Sequence, residues 1–161
     1  MKAVGLIPTR LNSTRLPQKA LLPINDIPLI IHTYRRAKLS KKLNDVFICC
    51  DDIKIKKVAE RFGAKVIITS KNHINGTERI NEAYNKLKNK YDFVVDIQGD
   101  EPLISPYHID QIVNFHKKNN TTDIILPTLE IKPTNNTNIV KVLLNNKNDV
   151  LYLSRANLPF S

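Results

Sequence analysis

Four Val- and Ile-rich apolar runs, each followed by a segment of helical period, limit what this chain can fold into. The runs are "AVGLIP", "DVFICCD", "KVIIT" and "DFVVDIQ". The segments that follow them are "PLIIHTYRRAKL", "IKIKKVAERFG", "ERINEAYNKLKN" and "YHIDQIVNFHKKN". Runs that are apolar at consecutive positions suit strands buried on both faces. Their alternation with helices predicts an α/β fold, with a mainly parallel sheet, right-handed crossovers and flanking helices. The punctuation agrees. Gly63 after "VAERF" reads as a helix C-cap, and Ser105-Pro106 before "YHIDQIV" reads as an N-cap and first helical residue.

After about Thr122 the pattern changes. "TDIILPTLEI" and "NIVKVLLNNKNDVLYLSRA" carry no helical signal, and "KPTNNTN" between them reads as a loop. The second stretch predicts a β-hairpin around the five-residue polar turn "NNKND". One domain over 1–161 is expected, with a parallel βα part over 1–121 and a β-rich part over 122–161. The closing "SRANLPFS" lacks the helix that usually finishes such a sheet, so the end reads as cut.

A chain of 161 residues can bury a real core. No apolar run approaches membrane-spanning length, and "MKAVGLIP" lacks the apolar region of a secretory signal. The two cysteines, Cys49 and Cys50, are adjacent on a predicted strand and point to opposite faces, which is poor geometry for a bridge. A reducing, cytoplasmic setting fits. The net charge of +10 raises the question of a polyanionic partner. Eighteen of the 25 cations are lysines beside asparagines, as in "NKLKNK", which describes a solvated face more than a nucleic-acid patch. No aromatic stacking surface supports a nucleic-acid partner, and no segment suggests a membrane partner.

The loop leaving the first strand, "IPTRLNSTRLPQK", holds Arg10, Arg15 and Lys19 with Asn12, Ser13 and Thr14, and no acid. In an open parallel sheet, ligands bind beyond the carboxyl ends of the strands. Dinucleotide folds and P-loops bring phosphates to backbone N–H groups through glycines. This loop has no glycine, and Pro8 and Pro17 remove two donors. Phosphate charge must therefore meet side chains: Arg10 and Arg15 as forks, Lys19 as a point charge, Ser13 and Thr14 as hydroxyl donors. That favours a nucleoside triphosphate, against the plainer reading of a basic surface loop.

Three further stretches carry chemistry. In "HINGTER", Gly76 permits close backbone approach and Thr77 can cap the helix beginning at Glu78. Arg79 in that first turn opposes the helix dipole, which hints that it is held for a ligand. His73 reads as a surface residue without a catalytic role. In "DIQGDEP", Gln98, Gly99, Asp100 and Glu101 end the fourth strand, and hard oxygen ligands there suit Mg²⁺ shared with phosphates. The plainer reading is turn chemistry, with Asp96 a buried, hydrogen-bonded acid. In "YLSRANLPF", Arg155 either meets an acidic co-substrate or pairs with a neighbouring carboxylate.

Together "IPTRLNSTRLPQKALLPINDIPLI", "HINGTER", "QGDEP", "VKVLL" and "YLSRANLPF" resemble the 3-deoxy-manno-octulosonate cytidylyltransferases, or CMP-Kdo synthetases, from Val4 to Phe160. The resemblance implies a Rossmann-like nucleotidyltransferase (glycosyltransferase-A-like) fold with a C-terminal hairpin. It implies a CTP-dependent enzyme that converts CTP and Kdo into CMP-Kdo and pyrophosphate, with Mg²⁺, for lipopolysaccharide biosynthesis. It also implies a cytoplasmic homodimer at full family length. Carried over by motif, Arg10, Ser13, Arg15 and Lys19 would bind the triphosphate, and Pro8, Thr9 and Arg79 the cytidine. Gln98 would line the nucleotide–sugar junction, Asp100 would ligate Mg²⁺, and Arg155 would lie on the sugar side. Arg10, Arg15, Lys19 and Asp100 would carry catalysis. Two departures stand out: Asn75 replaces the family's serine, and the family's C-terminal third is missing. The chain alone is therefore expected to bind CTP weakly and turn over poorly. A shortened remnant that only binds nucleotide, and a CMP synthetase for another acidic sugar, remain the alternatives. Sialic-acid cytidylyltransferases rank behind, because their first loop carries glycines.

Overall fold

A computed structural model of the chain describes residues 1–12, 16–119, 121–132 and 134–156. The first strand, β1 (Ala3–Thr9), is followed by a small ribbon of β2 (Pro23–Ile24) and β3 (Ile27–Pro28) and by α1 (Leu29–Lys38). Then come β4 (Asp45–Cys50), α2 (Ile53–Arg61), β5 (Val66–Ile68), α3 (Gly76–Asn85), β6 (Phe93–Asp96) and α4 (Pro106–Lys118). The large sheet has the order β5-β4-β1-β6 and all its pairings are parallel. The expected α/β architecture is present.

The two inner strands, β1 and β4, bury both faces, as consecutive apolar residues require, and the edge strands β5 and β6 are half-buried. Ala3, Ile7, Ile48, Cys50 and Val95 pack with Ile30 and Ile31 of α1, Ile55 of α2 and Ile109 of α4. Val4, Leu6 and Cys49 face the opposite way, toward Ala83 and Ile80 of α3. The topology explains the division. The chain steps outward from β1 to β4 to β5, then returns to the far edge at β6. A right-handed return crossover must run over the other face, and that places α3 alone there. The two cysteines fall in different cores, unbridged, and burial pushes their thiols up to about 12 for Cys49 and about 11 for Cys50. Neither is a nucleophile at neutral pH.

Pro8 lies on a central strand, where proline is normally excluded. Leu6 accepts from Ile97 N–H at 3.0 Å, so the even positions of β1 face β6. The pairing with β6 ends at Leu6, so no ladder partner remains for the donor that Pro8 lacks. Helix ends follow the sequence. Gly63 has φ 74°, its N–H donates to Glu60 O, and Ala64 N–H donates to Ala59 O at 3.1 Å. That is a complete Schellman closure. Ser105 caps α4 with Pro106 as first helical residue.

The chain divides into two compact units, Met1–Asp123 and a second beginning at Ile124. In the second, β7 (Lys141–Leu144) pairs antiparallel with β8 (Val150–Ser154) around the five residues 145–149, the hairpin and turn expected. Asn145 organises that turn, its Oδ1 accepting from Lys147 and Asp149 N–H. "TDIILPTLEI" forms no strand among the described residues, although it lies in the part expected to be β-rich; Ile124 and Leu129 stand more than 80% exposed, at 81% and 84%. Among the described residues of the unit its apolar side chains have no second ladder to pair with.

Because only glycine adopts φ 74° without strain, Gly63→Ala is expected to lower stability by about 1 kcal/mol, read as a lower urea midpoint at unchanged slope.

Candidate active site

The strand order reverses between β1 and β6, and a doubly wound sheet opens its crevice at such a point. The loops leaving β1, β4, β5 and β6 all lie at this carboxyl edge. From β1, Gln18 N–H closes the first loop onto Leu11 O at 3.2 Å, and a short 3₁₀ turn, Lys19–Leu21, follows. From β6 come Gln98, Gly99 and Asp100. The Lys19 ammonium pairs with the Asp100 carboxylate across the reversal point, both side chains partly open to solvent. The first loop and the fourth strand's acid thus converge. Ser13 and Arg15, the other two expected triphosphate ligands of this loop, lie outside the described residues.

Gly99 makes that convergence sterically feasible. A Cβ there would sit 2.9 Å from the backbone oxygen of Pro8 and 3.2 Å from Ile30 Cδ1. The glycine serves close approach rather than flexibility. Its own carbonyl accepts from the Thr33 hydroxyl at 3.2 Å, fixing the turn onto α1.

Two adjoining cavities open on the same edge. One, of about 230 Å³, is lined by Pro8, Thr9, Arg10, His73, Asn75, Gly76 and Arg79. The other, of about 150 Å³, is lined by Arg10, Asn12, Asp51, Asp52, Lys71, His73 and Arg79. Pro8, Thr9, Arg10 and Arg79, four residues expected to meet the nucleotide, therefore share one wall. Arg79 is 3% exposed. Its Nη1 donates to Thr69 Oγ1 at 2.6 Å and to Ser70 O at 3.1 Å, and its Nη2 lies 3.5 Å from Asp51 Oδ2. The dipole penalty of a cation in the first turn is offset by these acceptors.

The N-cap of α3 is Asn75, not Thr77. Asn75 Oδ1 accepts from Glu78 N–H at 2.9 Å, and Glu78 reaches back to Ile74 N–H. An asparagine therefore does the work of the expected serine at that position. His73 is no plain surface residue. It lines both cavities and is held by Glu82, with Glu78 3.7 Å from its Nδ1. Glu82 also accepts from Lys86 Nζ at 2.6 Å and Ser70 N–H at 2.8 Å. The Lys86 bond, then the Ser70 and His73 bonds, pull its carboxyl down to about 2.

Asp96 differs from the buried acid expected, because water reaches it. It accepts from Gln98 Nε2 at 3.2 Å, and partial desolvation by the surrounding protein, with Glu101 nearby, raises its carboxyl above the ordinary range. In the second unit, Arg155 donates to the carbonyls of Asn138 at 3.1 Å and Thr137 at 3.4 Å. Sequence reasoning missed Asp51, which reaches Leu11 and Arg79, and Glu82, which reaches Ser70 and His73.

Among the described residues no three His, Cys, Asp or Glu side chains cluster as a metal cage. One half-open carboxylate, Asp100, beside a cation-rich loop suits a hard cation that takes most of its oxygens from phosphate and water.

A parallel βα sheet with cations and a carboxylate gathered at its order reversal defines a Rossmann-like, nucleotidyltransferase class of protein. A family model described as cytidylyltransferase matches residues 4–161, and the chain belongs to that family. It is 42% identical over 165 residues to an 8-amino-3,8-dideoxy-manno-octulosonate cytidylyltransferase of Shewanella pealeana, covering 99% of this chain and 67% of the relative. The enzyme of the same name from Shewanella baltica is 40% identical over 166 residues, with the same coverage. A solved CMP:2-keto-3-deoxy-manno-octonic acid synthetase, complexed with CTP, superposes with a TM-score of 0.86 at 31% identity, over 99% of this chain and 66% of that one. The chain thus spans about two thirds of the length of these relatives.

Two outcomes follow from this geometry. Gly99→Ala must push against backbone, so a loss of about 1–3 kcal/mol in chemical denaturation is expected. The folded-state pKa of Glu82 is depressed, so its contribution is complete above the ordinary value of 4.5 and disappears as pH falls toward about 2. Glu82→Gln should therefore flatten the loss of stability between those two pH values, measured as the urea midpoint against pH.

Proposed function

We propose that the chain is the nucleotide-binding part of a CTP-dependent cytidylyltransferase that activates a 3-deoxy-octulosonic sugar acid of the Kdo type for lipopolysaccharide assembly. The family relationship supports the nucleotide and the reaction class, and the names of the relatives support the sugar. The single observation that carries the reading from the site itself is the Lys19–Asp100 contact across the strand-order reversal.

In this reading the anomeric hydroxyl of the sugar attacks the α-phosphorus of CTP. A new O–P bond forms, the bond to pyrophosphate breaks, and the hydroxyl proton passes to water. Arg10, Ser13, Arg15 and Lys19 hold the triphosphate, and their cations stabilise the charge growing on the leaving pyrophosphate. Pro8, Thr9 and Arg79 wall the cavity that takes the nucleoside, and Gln98 lines the junction with the sugar. Arg155 belongs to the sugar side. Asp100 holds the metal, and a divalent cation, Mg²⁺ in this reading, supplies charge neutralisation and alignment of the phosphates when bound. Catalysis is then mainly positioning. No helix among the described residues is long and apolar enough to cross a membrane, and two unbridged buried cysteines suit a reducing cytoplasm.

Isothermal titration with CTP and Mg²⁺ tests the reading. Binding is expected to require the metal, to vanish in Asp100→Ala, and to weaken about 10-fold or more in Lys19→Ala. Unchanged affinity in both variants would remove the phosphate and metal assignments together.

A further inference from the structure

We propose that Asp51 is a positioning residue that ties the phosphate-binding loop to Arg79, holding the two ends of a bound nucleotide in one register; this rests on the cytidylyl-transfer reading. Asp51 follows β4 directly and joins the loop leaving β1 to helix α3. Its Oδ1 accepts the Leu11 N–H at 2.9 Å, and its Oδ2 lies 3.5 Å from Arg79 Nη2. The side chain is 11% exposed and that of Arg79 is 4% exposed, so neither oxygen exchanges freely for water.

The neighbouring acid shows the contrast. Asp52 caps α2 by accepting from Lys54 N–H at 2.8 Å, and its other oxygen lies 3.7 Å from the exposed Lys71 ammonium, so it holds no buried group. Asp51 instead bonds 40 residues back to the loop leaving β1 and forward to α3. Leu11 adjoins Arg10, so the peptide that Asp51 holds is the one that aims Arg10. Arg79 is pinned by Thr69 and Ser70 on one nitrogen and faces Asp51 on the other. Both arginines line the two cavities, and Asp51 lines the smaller. One carboxylate therefore sets the spacing between a cation meant for phosphate and a cation meant for the nucleoside.

The two oxygens can be separated by mutation. Asp51→Asn keeps an acceptor for Leu11 but removes the charge facing Arg79, whereas Asp51→Ala removes both. Affinities for cytidine, CMP and CTP are measured on the 161-residue chain. Asp51→Asn is expected to weaken all three by a similar factor, about 10-fold. Asp51→Ala should weaken CTP further than cytidine, because the phosphate loop is released as well. In an Arg79→Gln background, Asp51→Asn should cost nothing more. A full additional cost there, or a CTP-to-cytidine ratio that is the same in Asp51→Ala as in wild type, overturns the proposal. Failure of wild type to bind CTP would count against the functional reading instead. The tether is then judged by amide exchange at Leu11, which must accelerate in Asp51→Ala and stay near wild type in Asp51→Asn.

Discussion

Arg79 takes a full positive charge to a place almost closed to water, and the carboxyl edge of the sheet is arranged around that fact. An ionised group that leaves water must recover its lost hydration from protein acceptors. Here the acceptors come from two loops, Thr69 and Ser70 beyond β5 and Asp51 beyond β4, and Asp51 accepts in turn from Leu11 beyond β1. Ser70 is itself held by Glu82, so α3 closes the circuit on the helix that carries the arginine. Removing one partner from such a buried pair typically costs about 3–5 kcal/mol. The loops are therefore mutually fixed, although each alone is short and polar.

Parallel topology makes this economy available. Every strand delivers its outgoing loop to the same edge, so residues as far apart as Lys19 and Asp100 meet without any long excursion of the chain. The packing at the β1–β6 junction supplies the last ångströms. Pro8 gives up a hydrogen bond that no neighbour could have taken, and Gly99 lets the Asp100 turn descend onto the Pro8 carbonyl. A first loop without glycine cannot offer phosphates a cradle of backbone N–H groups. Its cations must then be aimed through side chains, and side chains need outside anchors.

The fold was legible because its signals are local. Consecutive Val and Ile in "VFICC" and "FVVD", the glycine after "VAERF" and the "NNKND" turn each act through neighbouring residues, and each is found where the sequence suggests. The α3 cap shows the limit of local signals. Asn75 and Thr77 are both competent caps by residue type, and the helix begins at Gly76, so the capping bond falls to Asn75. The expected site residues Pro8, Thr9, Arg10 and Arg79 line one cavity, while Asp51 and Glu82 escaped notice and His73 read as a plain surface residue. Their roles reside largely in partners distant along the chain, with Asp51 reaching Leu11 on the first loop and Arg79 on α3. In "TDIILPTLEI" apolar content suggested a β-rich stretch, but composition cannot supply the second strand that a ladder needs.

The choice of lysine at position 19 fits the proposed chemistry better than arginine would. Arginine grips a carboxylate with two parallel bonds and a planar fork, an arrangement that resists exchange. A lysine ammonium is a point charge on a flexible stem, and its pair with Asp100 is open to solvent, where ion pairs are weak. In the ligand-free protein Lys19 prevents an acid and a cation from standing uncompensated at the crevice. In the proposed reaction the same two groups would part for a metal–triphosphate, the carboxylate toward the metal and the ammonium toward phosphate, at little cost in solvation. Arg79, which must not move, is by contrast an arginine held at both nitrogens. The fixed and the exchangeable cation of this site thus differ in residue type, burial and number of partners, each in the direction that the proposed reaction requires.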